Sequence, residues 1–162
     1  MTPEHIRAVQ ASWRKVLPAQ DTAAQLFYER LFEMEPSLQD LFRNDRRKQG
    51  EKLMQVIDAA VNGLSLFERI RPSIQELGRR HADYGVKDHH YGTVGAALLW
   101  TLGKSLGTDF TPQVRQAWIT VYGVLATSMR EGAAIAETGA QRRPRVVETT
   151  SSKAQPTPGE SA

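Results

Sequence analysis

The sequence predicts an all-α protein, and three observations carry that expectation. Apolar residues recur at three- and four-residue spacing through most of the first 140 positions, no stretch alternates as a half-buried strand does, and residues that start and stop helices punctuate the pattern. Thr2 before Pro3 is a cap and first-turn signal, and Ile6, Val9, Trp13 and Val16 follow until Pro18. Asp21 can cap a second helix bearing Ala24, Phe27, Tyr28 and Leu31, which Pro36 ends or turns into the short segment SLQDLF. After a polar loop, Leu53, Met54, Val56, Ile57, Ala60, Val61 and Leu64 mark an amphipathic helix over about 48–64, with Gln49 one turn before Leu53 on the same face. A shorter helix over about 72–84 is expected to start near Pro72 and Ser73 and to stop at Gly85, with Ile74, Leu77, Gly78 and His81 as its stripe. Asp88 can cap the next, with Tyr91, Val94, Gly95, Leu98 and Leu102 on one face. Thr111 and Pro112 open a last long helix through Val114, Trp118, Val121 and Leu125.

Composition bounds the possibilities. The 162 residues suit one domain, expected over 1–140, followed by a disordered tail over 141–162 that is rich in Ser, Thr and Pro and cannot repay the entropy of ordering. Of the net charge of +3, the tail holds four basic and two acidic side chains, leaving 17 basic against 16 acidic residues in the domain. A near-neutral domain gives no support to nucleic-acid binding, although the RRPR stretch could touch an anionic surface. With no cysteine, disulfides, thiolate metal sites and thioether-linked haem are excluded. No segment is a membrane span or a signal peptide, so a cytoplasmic location is the default expectation.

His81 stands where the helical stripe calls for an apolar side chain, in the last turn of a short helix. From this residue alone two readings stay open, a packed side chain or a ligand, and the first is commoner. His5, His89 and His90 fit no metal-binding repeat, and adjacent residues 89 and 90 are not expected to share a helix face.

The ordered segments LFYERLF, EPSLQDLF, KQGEKLMQVIDAAV, LGRRHADYGVKDHHYGTVGAALL and FTPQVRQAWITVYGVLA resemble the globins, over about residues 2 to 135 and nearly without gaps. The likeness is greatest to bacterial single-domain globins, to the globin domain of flavohaemoglobins and to neuroglobin. It implies the globin fold, a 3-over-3 helical sandwich, and haem b (iron protoporphyrin IX) as cofactor. It also implies His81 as the iron ligand, Phe42 as the ring packed on the haem, Pro36 as the start of the short third helix, and Lys52, Leu53, Val86, Tyr91 and Val94 along the haem. The match places Tyr28, Gln49 and Leu53 around the bound gas and leaves Lys52 between a haem propionate and solvent. The Leu77 carbonyl, one turn before His81, is the expected partner of its second ring nitrogen.

Two departures matter. Neuroglobin has histidine where Gln49 falls, which implies a five-coordinate iron open to O2, CO and NO. Flavohaemoglobins pair the proximal histidine with a tyrosine and a glutamate; Tyr91 matches, but Ala133 stands at the glutamate position and Glu131 lies roughly 200° round the helix from it. Three functions follow. The first is reversible O2 binding for storage, delivery or sensing, with Tyr28 and Gln49 as distal donors. The second is nitric oxide dioxygenase activity, which turns NO and O2 into nitrate and here would need an external reductase. The third is a haem-free interaction domain, which His81 and Phe42 argue against.

Overall fold

The computed structural model describes residues 1–43 and 45–141; the expected tail lies outside them, save Gln141. Six α-helices, joined by short 3₁₀ turns except between the fourth and fifth, make up the described residues, which contain no strand. They are α1 (Pro3–Val16), α2 (Gln20–Met34), α3 (Arg46–Gly63), α4 (Phe67–Asp83), α5 (Asp88–Leu106) and α6 (Pro112–Gln141). Helices α1, α3 and α4 form one layer and α2, α5 and α6 the other; the layers meet through the pairs α4 and α6, α1 and α6, and α2 and α3, while α2 packs beside α5 within its own layer. This is the expected three-over-three sandwich.

Several predicted helix ends are found as read. The Thr2 hydroxyl accepts the His5 N–H and the His5 ring accepts the Thr2 N–H, both at 3.3 Å, a reciprocal cap on α1. Thr111 accepts the Val114 N–H at 3.2 Å and opens α6. Gly85 has φ +94°, the left-handed conformation that favours glycine, and lets the Val86 N–H reach the His81 carbonyl while the Gly85 N–H reaches Ala82. The turn after His81 is thereby closed on the helix it ends.

Three ends differ. Asp21 and Asp88 lie in the first turns of α2 and α5 rather than at the caps, where an acidic side chain still favours the positive end of the helix. Helix α4 starts at Phe67, five residues before Pro72, which sits inside it. Pro72 removes one main-chain bond, but Ile70 packs at the α3–α4 corner, where a Cβ on Gly63 would come within 3.0 Å of it. That contact holds a helical turn upstream of the proline.

The core is tied across layers by two tryptophans. Trp13 and Trp118 meet edge to face at 6.1 Å; the Trp13 indole donates to Asp58 at 2.9 Å and the Trp118 indole to the Ser12 hydroxyl at 2.9 Å. Helices α4 and α6 approach more closely still. A Cβ on Gly78 would lie 1.9 Å from the Met129 carbonyl oxygen, and one on Gly132 would lie 1.9 Å from that of Gln75. Only glycine fits at either point, so α4 lies backbone to backbone on α6 immediately before His81.

Candidate functional site

Three residues after Gly78, His81 lies half-buried in the last turn of α4. Its Nδ1 is 2.8 Å from the Leu77 carbonyl oxygen, the partner expected from the sequence. A carbonyl can only accept, so Nδ1 carries the proton and Nε2 keeps its lone pair. Burial pushes the His81 pKa down, and the Leu77 bond opposes this only in part. The result is an oriented, neutral imidazole with one free ring nitrogen.

Between α3, α4, α5 and α6 is a cavity of about 780 Å³, within the size range of small-molecule and cofactor sites. Its walls are mostly apolar and include Leu53, Val56, Ile57, Ile74, Leu77, Val94 and Leu98, with Tyr91 and Tyr122. Among the residues expected along a cofactor, Leu53, Tyr91 and Val94 line it. Val86 is half-buried in the turn after α4, and Lys52 is exposed and outside the lining, in keeping with a solvated charge. Arg80 is exposed and also borders the cavity, where its guanidinium meets Glu76 at 3.3 Å. Arg79 instead is held between Glu76 and Asp83, at 2.7 and 2.8 Å.

Tyr28, Phe42 and Gln49 come together in a corner beside the cavity rather than on its wall. The buried Tyr28 ring meets Phe42 at 5.3 Å and stacks near Phe32 at 5.9 Å, and Phe42 touches Phe32 at 5.7 Å. The Tyr28 hydroxyl donates a long bond, 3.4 Å, to the Gln49 main-chain carbonyl. Burial pushes the Tyr28 pKa up to about 12, so the phenol keeps its proton and acts as a donor. Gln49 Oε1 is buried without a hydrogen-bond partner. An orphaned buried amide end normally has a ligand or water to answer to, and a half-turn of the amide exchanges its oxygen for the donor nitrogen.

On the other side, Tyr91 is buried with its ring under the Arg130 guanidinium at 5.0 Å, and its carbonyl accepts from the Tyr122 hydroxyl. Glu131 accepts from Arg71 at 3.0 Å and Gln75 at 3.1 Å, so it is engaged away from His81 and Tyr91. Ala133 supplies no carboxylate.

A family profile described as Globin matches residues 25–129. The chain is 34% identical over 138 residues to neuroglobin of Tetraodon nigroviridis, covering 76% of this chain and 87% of that protein, and 31% identical to neuroglobin of Danio rerio with the same coverage. The chain is a globin. Neuroglobin-1 of Oncorhynchus mykiss is 30% identical over 82% of this globin and 92% of its own length. Among solved structures, a hexacoordinated heme protein from an anhydrobiotic tardigrade, determined at pH 4, superposes with a TM-score of 0.75. It covers 83% of this globin and 96% of its own chain at 18% identity, a likeness of fold. The neuroglobin part of the sequence resemblance is thus supported; these fish relatives give no support to its bacterial and flavohaemoglobin parts.

One cluster departs from the sequence reading. His89 and His90, adjacent and so expected on different faces, both turn to Glu35: their Nε2 atoms lie 2.8 and 3.3 Å from its Oε1. They occupy the first turn of α5, and Glu35, the residue after α2, lies against the side of that helix, where its Oε2 also accepts from Thr93, one turn after His89, at 3.0 Å. No local pattern signals the meeting, since 54 residues separate Glu35 from His89.

Proposed function

We propose that this globin holds haem b with His81 as its axial ligand and binds O2, CO and NO reversibly at a five-coordinate iron faced by Tyr28 and Gln49. When bound, haem supplies a ferrous iron able to take up a diatomic gas. The observation that carries the reading is the His81 imidazole, with Nδ1 fixed on the Leu77 carbonyl and Nε2 free. The apolar cavity fits the cofactor's chemistry: Leu53, Tyr91 and Val94 would pack on the macrocycle, with Phe42 and Val86 at its border. Both Arg80 and Lys52 are exposed, but only Arg80 borders the cavity, so it is the better placed to meet an acidic edge. Tyr28, protonated by burial, and the orphaned amide of Gln49 supply donors toward a gas that gains negative charge.

Five-coordination is supported by where the four histidines are. His81 is on α4, His5 caps α1, and His89 and His90 are held at Glu35. A second imidazole on iron would need one of these to abandon its partners, and neither an amide nor a protonated phenol is a good replacement. Nitric oxide dioxygenase activity with an external reductase is the weaker reading, because Ala133 stands where the carboxylate of a His81–Tyr91 triad would fall and the nearby Glu131 is tied to Arg71 and Gln75.

Hemin titration of the purified chain is expected to saturate at one equivalent with a Soret band, and His81→Ala to change that spectrum. An unchanged spectrum in the variant removes His81 from the iron.

A further inference from the structure

Outside the cavity, Glu35, His89 and His90 bring three ligand atoms within 4.8 Å of one another at the junction of α2 and α5. We propose that these three side chains form a second metal site, for a borderline divalent ion of the Zn²⁺ class, independent of the haem reading. Two imidazoles and one carboxylate suit Zn²⁺, Cu²⁺ or Ni²⁺, whereas Mg²⁺ and Ca²⁺ require oxygen-rich sets.

The geometry is near what such an ion needs. Bonds of about 2.0–2.1 Å in a tetrahedron put neighbouring ligand atoms roughly 3.3 Å apart. The two nitrogen-to-Oε1 distances are 2.8 and 3.3 Å. The wider spread within the cluster closes by rotation of His89, which is exposed, while His90 is buried and fixed. Thr93 donates to Glu35 Oε2 at 3.0 Å, orienting the carboxylate and leaving Oε1 for the ion. Among the described residues Glu35 has no Lys or Arg partner; its ion-pair contacts are the two imidazoles. The end of α2 attracts a cation and the start of α5 repels one, so the two helix ends largely offset each other at this junction.

Proton positions set the order in which ligands engage. Without metal, His90 carries its proton on Nε2, because Nδ1 accepts from Lys87, and that Nε2 lies 3.3 Å from Glu35 Oε1, while His89 Nε2 lies within hydrogen-bond distance of the same oxygen at 2.8 Å. In His89 the proton can move to Nδ1, which has no protein partner among the described residues. In His90, Nδ1 accepts the Lys87 N–H at 2.8 Å, so releasing Nε2 breaks that bond. His89 and Glu35 therefore bind with the least rearrangement and His90 completes the set. The ion would clamp the end of α2 to the start of α5, two residues before Tyr91 enters the cavity wall.

Isothermal calorimetry of the full, haem-loaded chain with ZnCl2 tests this. One Zn²⁺ per chain is expected, bound at least tenfold more weakly by His89→Ala and by Glu35→Gln and unchanged by His5→Ala. Both substitutions lie at the surface junction, and circular dichroism checks that they leave the fold intact. Absence of saturable uptake, or an affinity that neither variant alters, overturns the site.

Discussion

The two regions flanking the cavity, with His81 in one and Tyr28 in the other and neither side chain in the lining itself, are built in opposite ways. On the His81 side, α4 rests on α6 through two glycines that admit no side chain, and a closed turn at Gly85 fixes the helix end. On the Tyr28 side, three aromatic rings, a 3.4 Å hydrogen bond and an unpartnered amide leave a corner whose polar groups are underused. Backbone against backbone cannot relax by rotating a side chain, whereas a long bond and an orphaned amide can change partners with little rearrangement. The fixed wall suits an axial ligand that must not move. The adjustable one suits a guest that comes and goes.

The largest effect should come from breaking the rigid wall. Gly78→Ala sets a methyl against the Met129 carbonyl, with no flexible group to yield, and should cost about 3 kcal/mol, on the order of 10 °C in Tm by calorimetry. A loss within about 0.5 kcal/mol would mean that the close approach is not needed. Next, Tyr28→Phe should speed O2 release from the ferrous protein by roughly 10- to 100-fold, the worth of a hydrogen bond to a charged acceptor; stopped-flow rates equal to wild type would remove Tyr28 from the gas. Gln49→Leu should have a smaller effect, roughly fivefold, because it both loses a donor and relieves the orphaned atom. The smallest effect concerns acid. Protonation of Nε2 competes with iron, and burial holds the His81 pKa below 6.5, so haem release on acidification should have its midpoint below pH 6.5. A Soret titration with a midpoint at or above that value contradicts a buried, neutral imidazole.

The same contrast explains what the sequence made legible. Local periodicity and caps gave the helices at Thr2, Thr111 and Gly85, because those signals act within a turn or two of the chain. Pro72 misled because the contact that extends α4 upstream of it, Ile70 on Gly63, lies at a corner between helices. The Leu77–His81 bond was foreseeable from helical spacing. Which of the adjacent Arg79 and Arg80 borders the cavity was not, because both carry the same local signal and only the packing of α4 separates them. The Glu35 cluster was invisible for a plainer reason: helix-face logic relates residues of one helix, and this carboxylate comes from the end of another, 54 residues before His89.

The central claim is an iron held by His81 with its opposite face open to gas. The absorption spectrum of the deoxygenated ferrous protein tests it most directly. A single broad visible band, as five-coordinate haem gives, is the expected result, shifting on addition of O2 or CO. Sharp, split bands before any gas is added would show a second protein ligand already on the iron and contradict the account.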